Sequence, residues 1–193
     1  MKHDIHIEGF AFRLRPIALS DAKFIVELRS DSTLTKYLHP ISPLVKDQEA
    51  YLENYFTREG DYYFVIERVI NNNPEGLIAL YDIDANKKCG YFGRWILKRG
   101  SQAALESALL LYRIAFDYLN LDMVYCRVII DNEQVISFHE SCGLVKHGVL
   151  PDHFTLDGIT YHAIELRLER GLWPKIESNL SSKALMFSRI LNR

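Results

Sequence analysis

Apolar and polar positions alternate along the first half of the chain and then recur at helical steps, dividing it into short strands and amphipathic helices. Phe10, Phe12 and Leu14 alternate with Ala11, Arg13 and Arg15, which predicts a half-buried strand from Phe10 to Ile17 that Pro16 limits. Ser20 then stands as a helix N-cap with Asp21 in the first turn, and Phe24, Ile25 and Leu28 form one apolar face. Turn formers fill Ser30 to Pro43, with a short helical piece expected at Thr33 to Leu38 and a second helix from about Lys46 to Thr57. Tyr62 to Val69 and Leu77 to Ile83 read as strands around the Asn-rich turn at 71–76, and Asn86 to Lys88 turns into a third, Cys89 to Leu97.

Past a basic loop, Leu105, Ala108, Leu109, Tyr112, Ala115, Phe116 and Leu119 recur at steps of three and four, which lays one face of a long helix on a sheet. A strand follows from Met123 to Ile130. Asn132 then caps a shorter helix with Val135, Ile136 and Phe138 turned inward, and Gly143 stops it. Val145 to Leu150 and Ile159 to Leu168 are β-type runs around a hairpin signal at Asp157-Gly158. Trp173, Ile176, Leu180, Ala184, Phe187 and Leu191 recur at near-helical steps in a tail that packs on the domain or on a partner subunit.

The stretch from Gly93 to Leu144 organises the rest, because its loop feeds a helix N-terminus. The first turn of a helix leaves backbone N–H groups unpaired and carries the positive end of the dipole, so phosphate is its natural guest. Gly100, Ser101, Ala103 and Ala104 let such a group approach the backbone, and Lys98 and Arg99 add charge. An ordinary strand–helix–strand crossover with a basic loop explains this stretch equally well when it is taken alone.

At 193 residues, 48% hydrophobic and 25% charged, the chain is long enough for one domain with a full core. A net charge of −2 gives no reason to expect nucleic acid or an anionic membrane as partner. Cys89, Cys126 and Cys142 lack metal-type spacing and read as reduced core residues, so no metal is expected. The N-terminus has no apolar stretch of signal length and no run reaches membrane-spanning length, from which a cytoplasmic protein is expected.

The segment from Asn132 to Leu144 separates the two readings of the loop. Arg99, Gln102 and Ala104 fall on the pattern Arg/Gln-x-x-Gly-x-Gly/Ala, and Asn132, Val135, His139, Glu140, Gly143 and Leu144 fall on Asn-x-x-Ala/Ser-x-x-x-Tyr-Glu-x-x-Gly-Phe. In this the chain resembles the GNAT superfamily of acetyl-CoA-dependent acyltransferases, with Gln102 in place of the usual glycine and His139 in place of the usual tyrosine. The resemblance implies an α+β fold: a single GNAT-like domain with a mixed, mostly antiparallel sheet of about seven strands, helices on both faces and a C-terminal helical extension. The domain would span 1–173 and the helical tail 174–193.

The resemblance also implies acetyl-CoA as cosubstrate, its pantetheine arm lying where two strands splay apart beside Trp95, Ile96 and Leu97. Arg99, Gly100, Ser101, Gln102, Ala103, Ala104 and Asn132 complete the implied cofactor site. His139 would give a proton to the departing thiolate, since an unperturbed imidazole titrates at about 6.5. Tyr37, His39, Asp82 and Arg94 are the candidate contacts to the acceptor, and Asp82, Asp84, Asp152 and His153 compete as base. The expected partner is a small-molecule primary amine, an amino sugar or sugar nucleotide, with a homodimer left open. A protein N-terminus as acceptor, and a CoA-binding module without catalysis, are the alternatives.

Overall fold

The alternation in the first half of the chain is realised as an antiparallel run of strands, β1 (Ile7–Glu8), β2 (Phe12–Pro16), β3 (Tyr62–Arg68), β4 (Pro74–Asp84) and β5 (Cys89–Leu97). The structure, a computed structural model, describes residues 3–191, so the expected ends of the N-terminal segment and of the tail lie outside the described residues. Between β2 and β3 come α1 (Ala22–Arg29) and α2 (Val45–Phe56). After β5 the chain forms α3 (Ala104–Arg113), which closes in a π-helical turn at Ile114–Tyr118, then β6 (Met123–Ile129) and α4 (Glu133–Ser141). It ends with the hairpin β7 (Val145–Leu156) and β8 (Ile159–Glu169) and the long α5 (Trp173–Leu191).

The described strands make one sheet of eight in the order β1-β2-β3-β4-β5-β6-β8-β7. The expected seven becomes eight because the short β1 pairs with β2, Ile7 opposite Leu14, where too few residues alternate to leave a pattern in the sequence. Among the described strands only β5 and β6 run parallel, as a strand–helix–strand crossover requires. Asp157 and Gly158 both take positive φ, +49° and +79°, which makes the β7–β8 connection the two-residue turn that their side chains favour.

One face of the sheet carries α3, α4 and α5 over Phe12, Leu14, Phe64, Ile78, Phe92, Val124 and Leu166. The other carries α1 and α2 over Ile17, Val65, Leu77, Ala79 and Ile96. Ser20 does not cap α1. Asp21, at the N-cap position, does not cap it either: its carboxylate turns back to accept the Ala18 N–H at 2.8 Å and two N–H groups of Arg15 at 2.7 Å. Residues 33–38 form no helix; two separate turns, Leu34 N–H to Asp31 and Leu38 N–H to Thr35, take its place.

α4 ends as expected. Gly143, at φ +96°, lets the Leu144 N–H return to the His139 carbonyl at 3.1 Å. The tail packs on this same face: Trp173, Leu180 and Ala184 are buried, Trp173 Nε1 donates to Asp117 at 2.9 Å, and Arg113 pairs with Glu177 at 2.9 Å. Phe187, expected inside, faces outward.

Candidate active site

The site begins where the parallel ladder stops. β5 and β6 pair at Cys89, Gly90 and Tyr91 with Met123, Val124 and Tyr125, and no further. Beyond Tyr91 the two strands fork, β6 staying with β8 and β5 staying with β4. A bulge bends β5 at this point: between the pairs Leu77–Ile96 and Ala79–Gly93, the single Ile78 of β4 faces both Arg94 and Trp95. Bulges of this kind re-aim side chains and end pairing.

Arg94 holds the bulge at φ +45°, a conformation a non-glycine residue adopts only when its surroundings enforce it. The enforcement is visible. Its guanidinium makes a bidentate pair with Asp61 at 2.7 and 2.8 Å and lies over the Tyr81 ring at 4.2 Å. The Asp61 side chain is only 7% exposed, so the pair is an internal brace.

Trp95 and Phe92 enclose His139 at 5.5 and 5.4 Å between ring centroids, with Phe138 beside them. Burial holds the His139 imidazole down at about 4, so it is neutral at pH 7. A neutral ring has a single N–H to offer, so what His139 can do at the sulfur depends on which nitrogen carries it. His139 Nδ1 and Trp95 Nε1 are both buried without a partner among the described residues. Two orphaned polar atoms on neighbouring rings are what a ligand's polar groups would satisfy.

At the N-terminus of α3 no side chain caps the helix. Glu106, in its first turn, turns away and accepts the Phe10 and Ala11 amides. Lys98 and Arg99 are exposed, and Gly100 takes φ +78° with open space where a Cβ would stand. Ser101 Oγ accepts the Ala103 N–H at 3.2 Å and Gln102 Nε2 donates to the Gly100 carbonyl at 3.3 Å, so Gln102 shapes the loop that a glycine would leave loose. Ala103 is buried and Ala104 half-buried. A cavity of about 150 Å³ joins this loop to α1 through Lys98, Arg99, Phe24, Leu28 and Asp31. Ile96 points away from the fork into the α1/α2 core, whereas Leu97 packs on the α3 side. Asn132 starts α4 through its backbone carbonyl, its side chain making no cap.

A second cavity, about 310 Å³, lies under the α1–α2 loop, lined by Arg29, Ser30, Ser32, Thr35 and Lys36 with Asp157 from the β7–β8 turn. Tyr37 does not line it; its ring stands edge-on to Tyr161 at 6.4 Å and its hydroxyl donates to the Asp131 carbonyl at 3.5 Å. His39 is exposed and its carbonyl takes an Arg29 N–H. Arg29 Nε is buried with no partner among the described residues.

Of the candidate bases, Asp84 caps the following turn by accepting the Asn86 and Lys87 amides, which accounts for it structurally. Asp82 is exposed at φ +51°, and Asp152 and His153 sit in an exposed irregularity of β7. Asp61, Tyr91, Arg29 and Lys36 were not legible as site residues. The one available signal was Tyr91 and Gly93, two apart on one face of a strand. No cluster of three or more His, Cys, Asp or Glu suited to a metal ion, and no helix long and apolar enough to cross a membrane, occurs among the described residues.

The acetyltransferase (GNAT) domain family matches residues 12–145. The chain is similar to spermidine N(1)-acetyltransferase of Vibrio cholerae, 26% identical over 151 residues covering 75% of this chain and 85% of that protein. It is also similar to the solved structure of apo FdhC, a nucleotide-linked sugar GNAT, at 29% identity and a TM-score of 0.77, covering 95% of this chain and 98% of that one. A variant of the Vibrio cholerae spermidine N-acetyltransferase SpeG shares the fold at 21% identity and a TM-score of 0.73, over 84% of this chain and 96% of that one. With that family covering well over half of its length, the chain belongs to the GNAT acetyltransferase family as an acetyl-CoA-dependent N-acetyltransferase.

Proposed function

We propose that the enzyme acetylates the primary amine of a nucleotide-linked amino sugar. The observation that carries this reading is the cavity under the α1–α2 loop, where Arg29 and Lys36 stand among the hydroxyls of Ser30, Ser32 and Thr35 with a single carboxylate, Asp157. Two cations and a row of hydroxyls suit an anionic, polyhydroxyl acceptor and repel a polyamine. The similarity to a nucleotide-linked sugar GNAT across 95% of the chain supports the same choice.

The cofactor side is read from this chain's own groups. Lys98, Arg99 and the free first-turn amides of α3 would hold a diphosphate, and the edge of β5 beyond Tyr91 would pair with the amides of a pantetheine arm. Bound acetyl-CoA supplies an activated acetyl group, whose transfer to a neutral amine forms an amide and leaves CoA as a thiol. The amine loses one proton and sulfur gains one, so the protein need lend none. Backbone N–H groups at the bulge, near Trp95 and Ile96, serve as donors to the carbonyl oxygen. Neutral His139 steadies the sulfur through a ring N–H. Much of the rate then comes from holding amine and thioester in one place.

The test is CoA thiol release with three acceptors at equal concentration: a nucleoside diphosphate-linked amino sugar, spermidine, and a peptide with a free N-terminus. The nucleotide-linked sugar should give the highest kcat/KM, and Lys36→Glu should raise its KM while leaving that of acetyl-CoA unchanged. Preferred turnover of spermidine, or of the peptide, would reverse the assignment.

A further inference from the structure

We propose that Tyr91 is the positioning residue that keeps the β5–β6 fork open, its hydroxyl standing in for the strand partner that β6 loses there. The parallel register sets Tyr91 opposite Tyr125, so continuing it by two residues would bring Gly93 opposite Arg127. That rung is not formed. Instead the Tyr91 Oη accepts the Arg127 N–H at 3.3 Å and donates to the Arg127 carbonyl at 3.4 Å. One side chain thus occupies both backbone groups that would otherwise draw β5 in and zip the fork by another rung, since buried backbone groups seek partners.

The side chain reaches across because Gly93 has no Cβ. A Cβ there would stand 3.1 Å from Tyr91 Cε1 and 2.8 Å from Tyr81 Oη. The ring is gripped on either side by Tyr81 at 5.0 Å and by Tyr125, nearly perpendicular, at 5.3 Å. Burial pushes the Tyr91 phenol up to about 12, so the hydroxyl keeps its proton and can donate throughout the working pH range. Phenylalanine would fill the same space and lose both bonds.

This role rests on acetyl-CoA occupying the fork, and the experiment separates the two. Calorimetric titration of acetyl-CoA into wild type, Tyr91→Phe and Gly93→Ala is combined with steady-state KM values and with hydrogen exchange of the Arg127 amide. Tyr91→Phe and Gly93→Ala should each raise the acetyl-CoA Kd about tenfold, the scale expected when buried backbone groups lose a partner and a cleft narrows. The KM of the nucleotide-linked amino sugar should stay as it was, and the Arg127 amide of the ligand-free wild type should exchange slowly. An unchanged Kd in Tyr91→Phe overturns the role, as does an effect confined to the KM of the amine, which would make Tyr91 an acceptor contact. Should either variant fold poorly, fast exchange of the Arg127 amide in the wild type overturns the role without any variant. A wild type that binds no acetyl-CoA would overturn the cofactor reading beneath it.

Discussion

His139 shows how a residue's position and its chemistry part company. The spacing from Asn132 to Gly143 was legible in the sequence and put His139 at the tyrosine position of the pattern with Val135, Ile136 and Phe138 turned inward; in the fold His139 is itself buried. What the spacing could not give was the company of Phe92, Trp95 and Phe138, residues from another strand and from the same helix that strip water from the ring. The depressed value has a thermodynamic consequence with a definite sign. In the unfolded chain the ring takes a proton below about 6.5, and in the fold only below about 4, so acid favours the unfolded state between those values. Going from pH 7 to pH 5 should therefore remove about 2 kcal/mol of stability through this group alone. Urea unfolding of wild type and His139→Gln at both pH values reads it directly: the variant should lose about that much less. Equal losses would mean that the ring titrates normally and is open to water.

At the scale of elements, periodicity located the long helix, the meander and the α4 stop, because each buries a face whose repeat is local to the sequence. The bulge in β5 was not visible, since Gly93-Arg94-Trp95 carries no turn signal and the φ of Arg94 is set by Asp61, which lies on the loop before β3. The helical piece at Thr33 to Leu38 failed for a related reason. With Pro40 and Pro43 downstream, the segment spends its backbone groups on two turns and its side chains on the cavity beneath. The brace at Arg94 can be taken apart by substitution. Arg94→Ala and Arg94→Gly both lose the pair with Asp61, but only glycine accepts the positive φ freely, so the glycine variant should be the more stable by about 1 kcal/mol in urea unfolding. If alanine is equal or better, the bulge relaxes when Asp61 lets go.

For the whole molecule, the sheet is divided into two antiparallel halves whose strands pair only at the foot of β5 and β6, and beside the opening between them Trp95 Nε1 and His139 Nδ1 are buried without a partner among the described residues. α3 and its uncapped N-terminus cover one side of the opening, while the α1–α2 loop and the β7–β8 turn wall the cavity that carries Arg29 and Lys36. Activated acetyl donor and amine would then meet from opposite faces of one sheet. Trp95 stands at the opening, and the only other tryptophan is Trp173, buried at the start of α5. The measurement that tests this account most directly is acetyl-CoA titration of the Trp173→Phe protein, followed by Trp95 fluorescence with calorimetry in parallel. A saturable change in emission with the same midpoint as the calorimetric binding is the predicted result. Binding of acetyl-CoA that leaves Trp95 emission untouched would contradict it and put the thioester somewhere other than the fork.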